Sequence, residues 1–99
     1  MARLIYSERA FSNLDRIFEH LAEQDPQASA TAVSVIREAV AVLDRHPLIG
    51  RPAEGGMREL VISRRKTGYV ALYRYLSVQD VILVLAVRHQ RELGYPEAD

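Results

Sequence analysis

The sequence predicts an α+β fold in the order β-α-α-β-β-β, with a helical hairpin packed on one face of a mostly antiparallel four-stranded sheet. Three observations predict it. Apolar residues recur at three- and four-residue steps through the first half of the 99-residue chain, and they gather into short β-type runs in the second half. The links between those runs are too short for a parallel crossover, which needs a dozen residues or more.

The elements follow in order. Arg3-Leu4-Ile5-Tyr6 is a short β-prone run, and Ser7 stands after it as a helix N-cap, with Glu8 placed for the positive end of the helix dipole. The helix that follows carries Phe11, Leu14, Ile17, Phe18 and Leu21 as its apolar stripe. Asp25-Pro26 caps and opens a second helix, whose stripe is Ala32, Val33, Ile36, Ala39, Val40 and Leu43. Arg45 and His46 suit that helix's negative end, and Pro47 stops it. Residues 48–56 hold three Gly and one Pro, so a connector without a long element is expected there. Residues 58–62, 69–76 and 81–87 are three β-type runs in an antiparallel meander. The last of them, Val81-Ile82-Leu83-Val84-Leu85-Ala86-Val87, is apolar on both alternating faces and is expected inside the sheet, which leaves the Arg3 strand to pair with it.

The length fits a single domain over residues 1–99, and a hydrophobic share of 48% is that of a folding globular chain rather than a disordered one. There is no cysteine, which excludes disulfides and thiolate metal sites and makes a reducing cytoplasm the simplest expected location. No run approaches the ~18 apolar residues of a membrane span, and the start lacks the pattern of an export signal, so no membrane partner is expected.

The formal net charge of zero hides a segregation along the chain. Residues 1–44 hold four Arg and seven acids, residues 45–91 hold nine Lys or Arg and three acids, and the remainder holds three acids. The second half is therefore basic. Arg outnumbers Lys twelve to one, which favours bidentate contacts with carboxylates or phosphates.

Templates for phosphate-binding loops, zinc proteases, nucleophile elbows and calcium loops are all missing, so no cofactor or metal ion is expected. His20 and His46 read as solvated surface residues. His89 leaves a buried strand flanked by Arg88, Gln90 and Arg91, with Tyr95 beyond, and this cluster has the groups to hold a phosphate or assist attack by a ribose hydroxyl. A polar strand terminus paired with nearby acids explains the same residues equally well. Arg64-Arg65-Lys66 forms a basic turn, which Arg58 and Arg74 on neighbouring strands are expected to extend across the sheet into an anion-binding face. Tyr69, Tyr73 and Tyr75 share one strand face and read as core packing rather than a base-stacking platform.

Taken together, the motifs resemble the RelE/ParE toxin superfamily over nearly the whole chain. They are Tyr6-Ser7 closing the first strand, His46-Pro47 closing the hairpin, Ile49-Gly50-Arg51-Pro52, Arg58-Glu59-Leu60-Val61-Ile62, Gly68-Tyr69-Val70-Ala71-Leu72-Tyr73-Arg74 and Val87-Arg88-His89-Gln90-Arg91-Glu92. The resemblance implies a small bacterial cytoplasmic toxin of a type II toxin-antitoxin pair, neutralised by a cognate antitoxin that folds over it. Docking of the antitoxin is expected on Arg58, Arg64, Arg65 and Arg74.

The target is open between two branches. One cleaves messenger RNA on the ribosome; the other, ParE-like, binds DNA gyrase. Several nuclease members carry an arginine directly after the Gly-Tyr pair, and here that position is Val70. An uncharged side chain cannot stabilise developing phosphate charge, so the ParE-like branch is the leading expectation. Arg88, His89, Arg91 and Tyr95 are then target contacts. In the nuclease alternative His89 is the general acid or base, Arg88 or Arg74 the phosphate stabiliser and Tyr95 a positioning group. A third alternative is a degenerate, non-toxic member that only binds antitoxin.

Overall fold

In a computed structural model, described for residues 2–62 and 68–90, two helices lie against one face of a five-stranded mixed sheet. The strands are β1 (Arg3–Tyr6), β2 (Arg51–Pro52), β3 (Arg58–Ile62), β4 (Tyr69–Leu76) and β5 (Val81–His89), in the spatial order β1-β5-β4-β3-β2. The helices are α1 (Glu8–Ala22) and α2 (Pro26–Ala41), the latter running into a short 3-10 turn, Val42–Asp44. The expected α+β class and element order hold, and the sheet has one strand more than the four expected. The addition is the two-residue β2 inside the Gly-rich connector, where Arg51 and Pro52 pair antiparallel with Glu59 and Arg58. So short a strand leaves no periodicity to detect.

β1 pairs parallel with β5, which makes β5 an interior strand with β4 on its other side. This accounts for its apolar residues on both faces: Ile82, Val84, Ala86 and Val87 are all fully buried.

Both helix starts are capped by the side chains expected. Ser7 accepts a hydrogen bond from the Ala10 amide at 3.1 Å, and Asp25 accepts one from Gln27 at 3.1 Å, with Pro26 at the first helical position. In α2, Ile36 and Val40, and Leu43 just beyond it, are fully buried as their periodicity requires. In α1 the inward stripe differs from expectation. Phe11 and Phe18 stay 56% and 43% exposed, while Ala10, Asn13 and Leu14 face the sheet. Leu14 and Ile17 of the expected stripe do pack on the core, and Ala10 and Asn13 join them in place of the two phenylalanines, Asn13 finding a partner there.

That partner is set by a bulge in β5. The β4–β5 register runs Tyr73↔Val84, Leu72↔Ala86, Ala71↔Val87, so Leu85 is the extra residue. Backbone groups near the irregularity are satisfied from α1 and its cap: Ser7 Oγ donates to the Leu85 carbonyl at 3.0 Å, and the Val87 amide donates to Asn13 Oδ1 at 2.9 Å. The extra residue also switches sides. Ile82 and Val84 face the helices before it, and Val87 does so after it.

At the other end of the sheet Tyr73 clasps the connector. Its fully buried ring brings the hydroxyl to the Gly50 amide, from which it accepts at 2.9 Å, and to the Pro47 carbonyl, to which it donates at 2.8 Å. Gly50 is required by this approach: a Cβ there would stand 2.7 Å from the Tyr73 hydroxyl and 2.8 Å from the Glu59 carbonyl oxygen. Tyr69 and Tyr73 belong to the core and Tyr75 packs against it, in line with their expected shared face.

Candidate functional site

The bulge in β5 decides which groups share a surface. Past Leu85, Val87 and His89 point to the helix side of the sheet, and Arg88 between them points to the helix-free side. The sequence cluster of Arg88 and His89 is thereby divided between two faces. The other expected members, Arg91 and Tyr95, lie outside the described residues, as do Arg64 and Arg65 of the basic turn.

On the helix side, His89 stands against Tyr69, the rings 5.5 Å apart and 83° to each other. Both line a cleft of about 1090 Å³ between the helical hairpin and the ends of β3, β4 and β5. Ile17, Leu21, Ala32, Val35 and Ile62 make most of its wall, with Arg16 and His20 on its rim. Burial pushes the Tyr69 hydroxyl above its ordinary value and keeps it a neutral donor. His20 was read from the sequence as a plain surface residue. It is exposed, yet it stands one helical turn from Arg16 on the cleft side, and that four-residue step was the signal available.

On the helix-free side, Arg88 pairs in register with Val70, and Val70 with Val61. These three residues, with Arg51 and Gln90, line a smaller pocket of about 300 Å³. Glu59 reaches into the same region: it accepts from Arg51 Nε at 3.0 Å, and its other oxygen lies 3.8 Å from Arg88 Nη2. Arg88 Nη1 donates to the carbonyls of His89 and Gln90, each at 3.2 Å, which fixes the guanidinium over the strand end. Glu59 and Arg51 meet because they are direct cross-strand partners. Val70 is 2% exposed and forms an aliphatic floor where an arginine would project toward Arg88.

Of the residues expected in a basic face, the structure describes Arg58 and Arg74 and places them on opposite sides of the sheet. Arg58 pairs with Tyr73 on the helix side, whereas Arg74, one residue on in β4, faces the other way. Both sit at the Arg58 end of the β3–β4 ladder, about 13 Å along β3 from Ile62. Arg58 is also engaged in structure, donating to the carbonyls of Gly50 at 2.8 Å and Leu48 at 3.2 Å. Arg74 makes no hydrogen bond or ion pair among the described residues. Among the described residues no group of three or more His, Asp or Glu gathers to hold a metal, and no helix is long and apolar enough to cross a membrane.

With this geometry the known relatives agree. A family model described as the ParE toxin of type II toxin-antitoxin system, parDE, matches residues 4–94. The chain belongs to the ParE toxin family. It is 31% identical over 84 residues to Toxin RelE3 of Caulobacter vibrioides, an alignment that covers 85% of this chain and 89% of the relative. Among solved structures it is similar to the chromosomal ParDE system of P. aeruginosa, with a TM-score of 0.76 and 28% identity over 90% of this chain and 96% of the other. It also superposes on the E. coli RelBE complex at a TM-score of 0.63, where 17% identity supports a common fold. A ParE family member with a RelE-named relative stands squarely within the RelE/ParE superfamily of type II toxins.

Proposed function

We propose that this toxin arrests growth by binding DNA gyrase and not by cutting messenger RNA, and that a cognate antitoxin neutralises it. The observation that carries the choice is the placement of Arg88 and His89 on opposite faces of the sheet. Cleavage by a ribose hydroxyl needs a proton acceptor and a cation within hydrogen-bonding distance of one phosphate. An imidazole and a guanidinium divided by a sheet do not meet that need. Val70 across from Arg88, and Glu59 beside it, weaken the case for phosphate chemistry further, since one removes a cation and the other adds an anion. A binding surface has no such requirement.

For the antitoxin, the helix-side cleft offers an apolar groove for a segment that folds as it docks. Solved relatives described as ParDE and RelBE toxin-antitoxin complexes support such a partner.

Purified toxin tested in parallel on gyrase supercoiling and on cell-free translation separates the readings. Inhibited supercoiling with intact transcripts is the expected result. Ribosome-dependent transcript cleavage with unaffected gyrase would replace this reading by the nuclease, and inactivity in both assays would favour a protein kept for antitoxin binding.

A further inference from the structure

We propose that the end of the molecule formed by the β4–β5 turn and the connector after α2 is a dimer interface, on which a second copy of this chain docks about a two-fold axis. The inference goes beyond the target reading and stands whichever target the toxin has. It starts from where the exposed apolar side chains are. Of the seven large ones among the described residues, four are Val42, Leu48, Ile49 and Val78, exposed to 45%, 59%, 58% and 93%.

All four belong to one end of the molecule, opposite the end that holds the cleft and Arg88. The Ala2 amide donates to the Asp44 carbonyl at 2.9 Å and the Arg3 amide to the Asp80 carbonyl at 3.0 Å, so the start of β1 ties the segment after α2 to the β4–β5 turn. The His46 amide donates back to Val42 and the Ile49 amide to His46, which winds residues 42–49 into consecutive turns. Both segments are held in place. The Tyr73 hydroxyl donates to Pro47 and accepts from Gly50, and the Tyr75 hydroxyl donates to Asp80 Oδ1 at 2.8 Å. Side chains on backbone fixed in this way lose little freedom when they dock. The fold has no use for them: turns are ordinarily built from glycine and polar residues, and none of the four belongs to the core.

A second copy fits this end by charge and by size. Arg3 and Asp80 border the patch beside the turn, and Asp44 and Arg45 border it beside the connector. With two cations and two anions the border offers no net field to nucleic acid or to a strongly acidic segment, whereas a two-fold-related copy sets the turn's opposite charges against the connector's. An apolar patch of this kind is on the order of 300–600 Å². A stable interface needs about 800 Å² from each partner, a little over half of it apolar. The four side chains supply the apolar share and the charged border the rest. Val78 of each copy then packs against Leu48 and Ile49 of the other, and both helix-side clefts stay open to antitoxin.

Sedimentation of the full-length toxin across a wide concentration range tests this. A concentration-dependent species of twice the chain's mass is expected, and Val78→Glu is expected to weaken it on the order of ten-fold or more while the amide spectrum stays that of a folded chain. Leu48→Ser, on the facing segment, should act in the same direction, and Phe18→Ser, at an exposed apolar residue of α1, should leave the dimer as it is. The chain has no cysteine, so Val78→Cys mixed with Leu48→Cys should give a disulfide between copies under mild oxidation. A wild-type chain that stays monomeric throughout overturns the proposal, as does a dimer that Val78→Glu and Leu48→Ser both leave intact. Weaker binding of antitoxin or gyrase by a monomeric toxin carrying Val78→Glu would assign the patch to that partner and overturn the second copy. A dimer that breaks on Val78→Glu in a toxin without effect on gyrase would sink the target reading alone and uphold this one.

Discussion

The Val87 amide donates to Asn13 Oδ1 at 2.9 Å, and through this bond a helix side chain secures the strand bulge that turns His89 to the helices and Arg88 to the other face. Asn13 is 2% exposed, so the bond is shielded from water. Replacing it with Ala leaves a buried amide unsatisfied, and Asn13→Ala is expected to lower stability by about 1–3 kcal/mol. Chemical denaturation measures the loss, and faster hydrogen exchange at Val87 would locate it. Exchange at Val87 unchanged from wild type would contradict the role given to Asn13.

Gly50→Ala forces a methyl against the Tyr73 ring and the Glu59 carbonyl, both closer than 3 Å. Neither neighbour is free to retreat, since one is core and the other backbone. A destabilisation of about 1–3 kcal/mol is expected, with the connector displaced. A melting temperature equal to wild type would show that the clasp yields.

Tyr73 links this clasp to pH. Burial, foremost, pushes its hydroxyl above the ordinary value of 10.0, against the opposing effects of the Gly50 amide and Arg58. The folded state thus favours the protonated phenol. Its contribution is fully present below pH 10.0 and is lost as pH rises through the higher folded value. Tyr73→Phe should remove part of this alkaline dependence while leaving the Gly50 amide and Pro47 carbonyl short of a partner, at about 2–3 kcal/mol near neutrality. Thermal unfolding between about pH 8 and 11 checks both, and Tyr6 and Tyr69, also raised by burial, leave a residual slope.

Val70→Arg puts a cation across from Arg88, at the position where the resemblance to nuclease members implies one. The site is 2% exposed, so forcing a guanidinium there is expected to destabilise the fold on the order of 3 kcal/mol. No transcript cleavage should appear in ribosome-containing extracts, because His89 remains on the other side of the sheet. Cleavage gained by this single change would refute the binding mode.

His89→Ala should leave growth inhibition largely intact if toxicity is a matter of binding through the face that bears Arg88. Loss of toxicity in a folded variant that still binds antitoxin would return His89 to a catalytic role.

Much of this molecule was legible in its residues. Periodicity and caps located both helices and four of the five strands, because Ser7, Asp25 and Pro26 act over a few neighbouring positions and amphipathic stripes repeat within one element. The doubly apolar β5 announced its interior place in the same local way. The candidate site was legible only as a list of residue types, with Arg88 and His89 counted together because they are adjacent in the chain.

Tertiary structure decided what that adjacency means. Strand geometry sends neighbours to opposite faces, and one extra residue at Leu85 chooses which goes where. No local signal marks that residue, since the bulge depends on Ser7 and Asn13 reaching it from more than seventy residues away. The pairing of Arg51, Glu59 and Arg88 has the same origin: three strands bring them together, and only the assembled register makes them neighbours.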